Sequence, residues 1–220
     1  MDNFSLGLSE LELDALTELV NLGVSNAALS LREMVRGEVL LSVPEVSIVT
    51  RDEAIVILGD TASARLVAVQ QHFEGDINGR ALLIFPETKS LELVRAVVGG
   101  TPSLEDVVEL EHEALAETGN VLLNGCLGTI ANGLQRNLRI SLPEVVYGNG
   151  TELFTDTPGH IAGNGVLFIY INFAVRHGDI TGYIAMLLDI PSLLTLKELL
   201  AAYIARVAGT PLAQSSDASR

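Results

Sequence analysis

Two pairs of side chains carry the chemistry this sequence offers. Glu18 and Asn21 stand three residues apart, and adding 99 to each number lands on Glu117 and Asn120, the same two residue types at the same spacing. Asp14 and Ser25 extend the first pair to spacings of four, three and four, which aligns all four residues along one side of a helix. Glu113 and Asn124 extend the second pair in the same way. Pro44 lies 23 residues after Asn21, and Pro143 lies 23 after Asn120. A carboxamide both donates and accepts hydrogen bonds and is no strong base. A polar stripe on an amphipathic helix is usually only its solvent face. Duplication weighs against that, because a solvated face has no reason to keep Glu and Asn three apart twice, and asparagine is a poor choice in mid-helix.

The elements that position these pairs follow from the pattern around them. Leu13, Leu16, Val20, Ala27 and Leu31 repeat at near-helical intervals beside the stripe, so one helix can bury that arc and leave the stripe outside. Ser9 with Glu12 forms a capping-box signature, which starts the helix near Glu10; it runs to about Arg36, where Gly37 can end it. Gly23, Ser25 and Asn26 lower helix propensity in its middle, and Gly23 is small enough to let another backbone approach. Strands are predicted at Val39 to Val49, bent or at an edge because of Pro44, and at Glu53 to Leu58, Arg65 to Phe73 and Gly79 to Phe85. Gly75-Asp76-Ile77-Asn78-Gly79 is the hairpin turn, and a helix from about Lys89 to Val98 closes the half before the break at Gly99-Gly100-Thr101-Pro102.

The second half replays this order. Asp106 with Glu109 is predicted to cap a helix running toward Leu134, followed by strand around Pro143, where Ser141-x-Pro143-Glu144-Val145 repeats Ser42-x-Pro44-Glu45-Val46. A longer, glycine-rich loop spans Gly148 to Asn164, Gly178 to Gly182 matches Gly75 to Gly79 at an offset of 103, and a final helix runs from Ser192 to Ala205. The expectation is an α/β (α+β) fold of two pseudo-symmetric halves, about 9–99 and 106–207, each a long helix, antiparallel-type strands with a hairpin, and a closing helix. Half-domains of about 100 residues are too long for solenoid units, so they should share a sheet or core. Residues 208–220 read as a disordered polar tail.

Composition narrows the partners. Thirteen basic against 28 acidic residues gives a formal charge of −15, which makes nonspecific binding to nucleic acid or anionic lipid unfavourable and a protein partner more plausible. Solubility alone is an equally good account of the net value. The longest apolar run, Gly165 to Val175, is interrupted by Asn172, so a membrane span is not expected. An acidic amino terminus unlike a signal peptide, and a single cysteine, Cys126, point to the cytoplasm. His72, His112, His160 and His177 are scattered without metal-site spacing, and no phosphate-binding G-x-x-x-x-G-K-S/T loop or G-x-S-x-G nucleophile elbow occurs.

The pattern Asp/Ser-x3-Glu-x2-Asn-x22-Pro resembles the signature of the CheC/CheX/FliY family of chemotaxis phosphatases. The chain carries it as Asp14, Glu18, Asn21 and Pro44 and again as Glu117, Asn120 and Pro143, with Glu113 departing from the expected Asp or Ser. Two copies without an appended switch domain resemble the CheC type, over about residues 9–207. The resemblance implies hydrolysis of the aspartyl phosphate of the response regulator CheY, with Mg²⁺ held by that partner and no cofactor of its own. It implies that Asn21 and Asn120 orient the attacking water, that Glu18 and Glu117 dock on the regulator's lysine, that Asp14 and Glu113 assist docking, and that Pro44 and Pro143 shape the strand beneath. It also implies a possible partnership with CheD, a receptor-modifying deamidase. An internal duplication lets a monomer supply the symmetry that a dimer otherwise would. The competing reading is a non-catalytic module that binds phosphorylated CheY or regulates a CheD-type deamidase; a structural component of the switch complex is a third, weakened by the missing switch domain.

Overall fold

The computed structural model describes residues 8–35, 39–59, 65–98, 103–155, 165–175 and 178–209. Helix α1 (Glu10–Val35) begins at the foreseen capping box. The Ser9 backbone N–H donates to the Glu12 carboxylate at 2.7 Å, and the Glu12 N–H donates to the Ser9 hydroxyl at 3.3 Å. Burial is the largest single influence on Glu12 and raises its pKa, but the Ser9 hydrogen bonds and the charge of Lys197 together outweigh it and leave the carboxyl below its ordinary value.

Strand β1 (Val39–Thr50) is followed by a departure from expectation: the segment predicted as strand from Glu53 to Leu58 is helix α2 (Arg51–Ile57). Thr50 and Glu53 form a second capping box, with Thr50 N–H to the Glu53 carboxylate at 2.8 Å. Ala54 and Leu58, four residues apart, are the buried pair, which is a helical and not an alternating period. Thr50→Ala is expected to destabilise the fold by about 1 kcal/mol, read as a fall in thermal midpoint with no change in the far-ultraviolet signature of the long helices.

Strands β2 (Leu66–Gly75) and β3 (Gly79–Pro86) and helix α3 (Glu87–Val98) stand where the pattern put them. Helix α4 (Leu104–Gly133) begins two residues before Asp106, so Asp106 lies in its first turn and does not cap it. Strands β4 (Leu138–Ile140) and β5 (Glu144–Gly148) flank Pro143. A short helix α5 (Gly150–Leu153) opens the Gly148 to Asn164 loop, the rest of which from 156 on lies outside the described residues. The chain then forms β6 (Gly165–Val175), β7 (Gly178–Leu188) and α6 (Ile190–Val207). The expected tail lies outside the described residues from 210 on.

The seven strands make one antiparallel sheet in the order β1-β6-β7-β3-β2-β4, with β5 also on β2. Counting outward from the central β7/β3 pair, β6 answers β2, and β1 answers β4 with β5. The two halves therefore share a sheet. One match of letters does not survive: Gly75 to Gly79 turn between β2 and β3, whereas Gly178 to Gly182 lie within β7, paired with Ile171 to Val175. Alternation then sorts the strands between two layers. Val67, Val69 and Phe73 of β2 face the core under the long helices, while Leu66 and Ala68 face a smaller core closed by α2 and α5. Helices α1 and α4 meet on the larger face. A Cβ at Gly23 would lie 2.9 Å from the Cys126 Cα and 3.1 Å from the Gly125 carbonyl oxygen, so its glycine is what the close crossing requires. Complete burial pushes the Cys126 thiol up to about 12, which makes it a packing residue and no nucleophile.

Candidate functional site

Helix α1 buries the arc that the spacing assigned to it, and α4 buries an arc of its own. Leu16, Val20, Ala27 and Leu31 of α1 are buried and Leu13 is half-buried, while Asp14, Glu18 and Ser25 are exposed and Asn21 is half-buried. In α4, Leu115, Leu122 and Cys126 are buried, Glu113 and Glu117 are exposed, and Asn120 and Asn124 are half-buried. The structure thus brings each Glu and Asn onto one accessible side of its own helix. The carboxylate is exposed and the carboxamide, one turn on, is half-buried.

The two carboxamides differ in what holds them. Asn21 has no side-chain hydrogen bond among the described residues. Asn120 does: its Oδ1 accepts from Asn124 Nδ2 at 2.7 Å and from Gln71 Nε2 at 3.2 Å. Gln71 Nε2 also donates to the backbone carbonyl of Ser141 at 2.9 Å. Gln71 is 1% exposed, a polar residue at an inward position of β2 between Val69 and Phe73. Its Oε1, and Oδ1 of Asn124, are buried without a partner. Each such orphan acceptor costs on the order of 1–3 kcal/mol. A glutamine here is therefore not explained by stability.

The prolines sit at matching irregularities. Opposite β6, the register slips between Ser42, which faces Asn172, and Glu45, which faces Tyr170; opposite β2 it slips between Ile140, which faces Phe73, and Glu144, which faces Gln70. Pro44 and Pro143 occupy these bulges, where a missing N–H breaks no ladder bond. In the second copy the bulge is clasped to β2 by Ser141, whose N–H donates to the His72 carbonyl at 2.8 Å and whose hydroxyl accepts from the His72 N–H at 2.9 Å. That clasp presents the Ser141 carbonyl to Gln71. Since Glu45 and Glu144 are counterparts, Tyr170 answers Gln70, and the inward position of Gln71 is filled in β6 by Ile171. The first copy has neither the glutamine nor a second amide, because Ser25 stands where Asn124 does.

Sequence reasoning missed Gln71. The signal was a polar residue at an inward position of an otherwise apolar alternation. Among the described residues no group of three or more His, Cys, Asp or Glu could hold a metal ion, and no helix is long and apolar enough to cross a membrane.

No family model matches the chain. It is 27% identical over 142 residues to the CheY-P phosphatase CheC of Bacillus subtilis (strain 168), covering 63% of this chain and 68% of that protein. It is 22% identical over 142 residues to the putative CheY-P phosphatase CheC1 of Halobacterium salinarum, covering 64% and 71%. The relatives support a CheC-type chemotaxis phosphatase family. The CheC-like fold is found in the solved structure of Thermotoga maritima FliY, with a TM-score of 0.70 at 17% identity over 89% of this chain and 98% of that one. The middle domain of FliM from H. pylori also shares it, with a TM-score of 0.57 at 11% identity over 87% and 99%. The CheC-like fold is thus common to proteins of several names, and the backbone alone does not assign a role.

Proposed function

We propose that this chain hydrolyses the aspartyl phosphate of a CheY-like response regulator at two sites, one on α1 and one on α4. The observation that carries the reading is that in each copy a carboxamide with unclaimed hydrogen-bonding capacity stands one helical turn from an exposed carboxylate. The names of its relatives supply the substrate, and the residues supply the means.

Glu18 and Glu117 pair with the regulator's active-site lysine and fix each helix against it, supported at the rim by Asp14 and Glu113. Asn21 and Asn120 then hold a water in line with the phosphorus. Its oxygen forms the new P–O bond as the bond to the aspartate oxygen breaks, releasing inorganic phosphate and a free aspartate carboxylate. Charge on the phosphoryl oxygens is met by the Mg²⁺ and lysine of the regulator, so this chain needs to add only position. The protein acts in the cytoplasm as a monomer, since its internal repeat already provides two docking faces.

Decay of phosphorylated CheY, with and without the chain at catalytic concentration, tests the proposal. Turnover of many equivalents per chain is the expected result; tight binding with unchanged decay would instead establish a sequestering module. That second reading, including one in which the chain regulates a CheD-type deamidase, has a specific observation on its side: the fold is shared with FliM middle domains as well as with FliY. A module that only binds has no use for amides kept at half-buried positions beside a docking carboxylate, so hydrolysis is the better reading.

A further inference from the structure

We infer that Gln71 and Asn124 are positioning residues for the second site alone, fixing Asn120 with its carbonyl inward and its NH2 outward, so that this site is pre-organised while the first is not. The inference rests on the proposed hydrolysis for its consequence and on the amide chain for its geometry.

The direction of that chain is settled by a group that cannot be turned round. A backbone carbonyl only accepts, so the end of Gln71 that lies 2.9 Å from the Ser141 oxygen is its NH2. The same Nε2 lies 3.2 Å from Asn120, so the atom of Asn120 facing it is the carbonyl oxygen. Asn124 Nδ2, at 2.7 Å, takes the other lone pair of that oxygen. Both acceptor positions of Asn120 are now filled, and its Nδ2 has no hydrogen-bond partner among the described residues. Asn120 therefore meets the reactants only as a donor. A water that accepts from Nδ2 through one lone pair keeps the other for phosphorus.

Asn21 is held by none of this. Ile171 and Ser25 occupy the positions of Gln71 and Asn124, so its carboxamide can present either end and pays for its orientation at each encounter. The unpartnered buried oxygens of Gln71 and Asn124 fit the same account, since apolar residues at 71 and 124 would avoid them.

The test uses each site alone: the Asn21→Ala chain, which retains only the second, and the Asn120→Ala chain, which retains only the first, each with and without Gln71→Met. Turnover of phosphorylated CheY at the second site is expected to fall about tenfold in kcat with KM unchanged, because Glu117 still docks; the first site is expected not to respond. A fall of equal size at both sites marks a general effect on the fold and overturns the inference, as does an undiminished second site. Nitrogen-15 spectra of the side-chain amides of the full chain need no substrate and separate this claim from the phosphatase reading. Expected there are slowly exchanging Gln71 and Asn124 amides, a freely exchanging Asn120 amide, and a shift of Asn120 but not Asn21 on Gln71→Met. A protected Asn120 amide beside a freely exchanging Gln71 overturns the inference whatever the turnover.

Discussion

Phosphorylated CheY is expected to decay at its unassisted rate in the presence of the Asn21→Ala, Asn120→Ala chain, even though that chain still binds it. The loss should be on the order of 100-fold or more in the catalysed rate, the usual cost of removing a group that acts on the reacting atoms in a pre-organised site. Binding should persist because the four carboxylates Asp14, Glu18, Glu113 and Glu117 are untouched and all four are exposed. In kinetic terms kcat collapses while KM stays near its starting value, the pattern of an interaction made mainly in the transition state. Each single variant reports one site, and Asn120→Ala should remove more than half of the activity if Gln71 orients that amide as inferred. A double variant that still accelerates decay would place the chemistry elsewhere, and one that no longer binds would make the asparagines docking residues.

The duplicated spacing was enough to place the four motif residues of each copy on one helix face, because a helix turns through a fixed angle and its buried arc is announced by leucines and valines. Gly23 was legible for the same reason: a glycine in mid-helix costs about 1 kcal/mol against alanine and needs a close neighbour to justify it. Three features were not legible. Glu53 to Leu58 carries apolar residues at nearly every position, so its period was ambiguous, and the capping box of Thr50 and Glu53 decides for helix. Gly178 to Gly182 copies the letters of a turn but opens β7, where its ladder with Ile171 to Val175 of the preceding strand overrides local preference. The partnership of Gln71 with Asn120 joins residues 49 apart through the bulge at Ser141, and no local pattern encodes which strand lies under which helix. The docking surface was thus written in the helix period, and the means of holding its amide in the tertiary contacts.

Those contacts yield a second large effect, with its control in the same helix. A Cβ at Gly119 would lie 2.4 Å from both Cβ and Cγ1 of Val69, on the strand directly below α4. At Gly128 it would meet nothing within 4 Å. Alanine gains about 1 kcal/mol of helix propensity at either position, so Gly128→Ala is expected to raise the thermal midpoint by a few degrees. At Gly119 that gain is overwhelmed. Val69 Cβ cannot swing aside as a longer side chain could, so the helix must lift from the sheet, a distortion that costs on the order of 1–3 kcal/mol net of local relaxation. Lifting α4 at 119 also draws Asn120 away from Gln71 across a hydrogen bond that is already 3.2 Å long. Gly119→Ala should therefore lower the midpoint and weaken the second site together while leaving turnover at the first site intact below the melt. Opposite signs for one substitution at two glycines nine residues apart would establish that α4 is seated on β2 at Gly119, the seat that sets the height of Asn120 above the sheet.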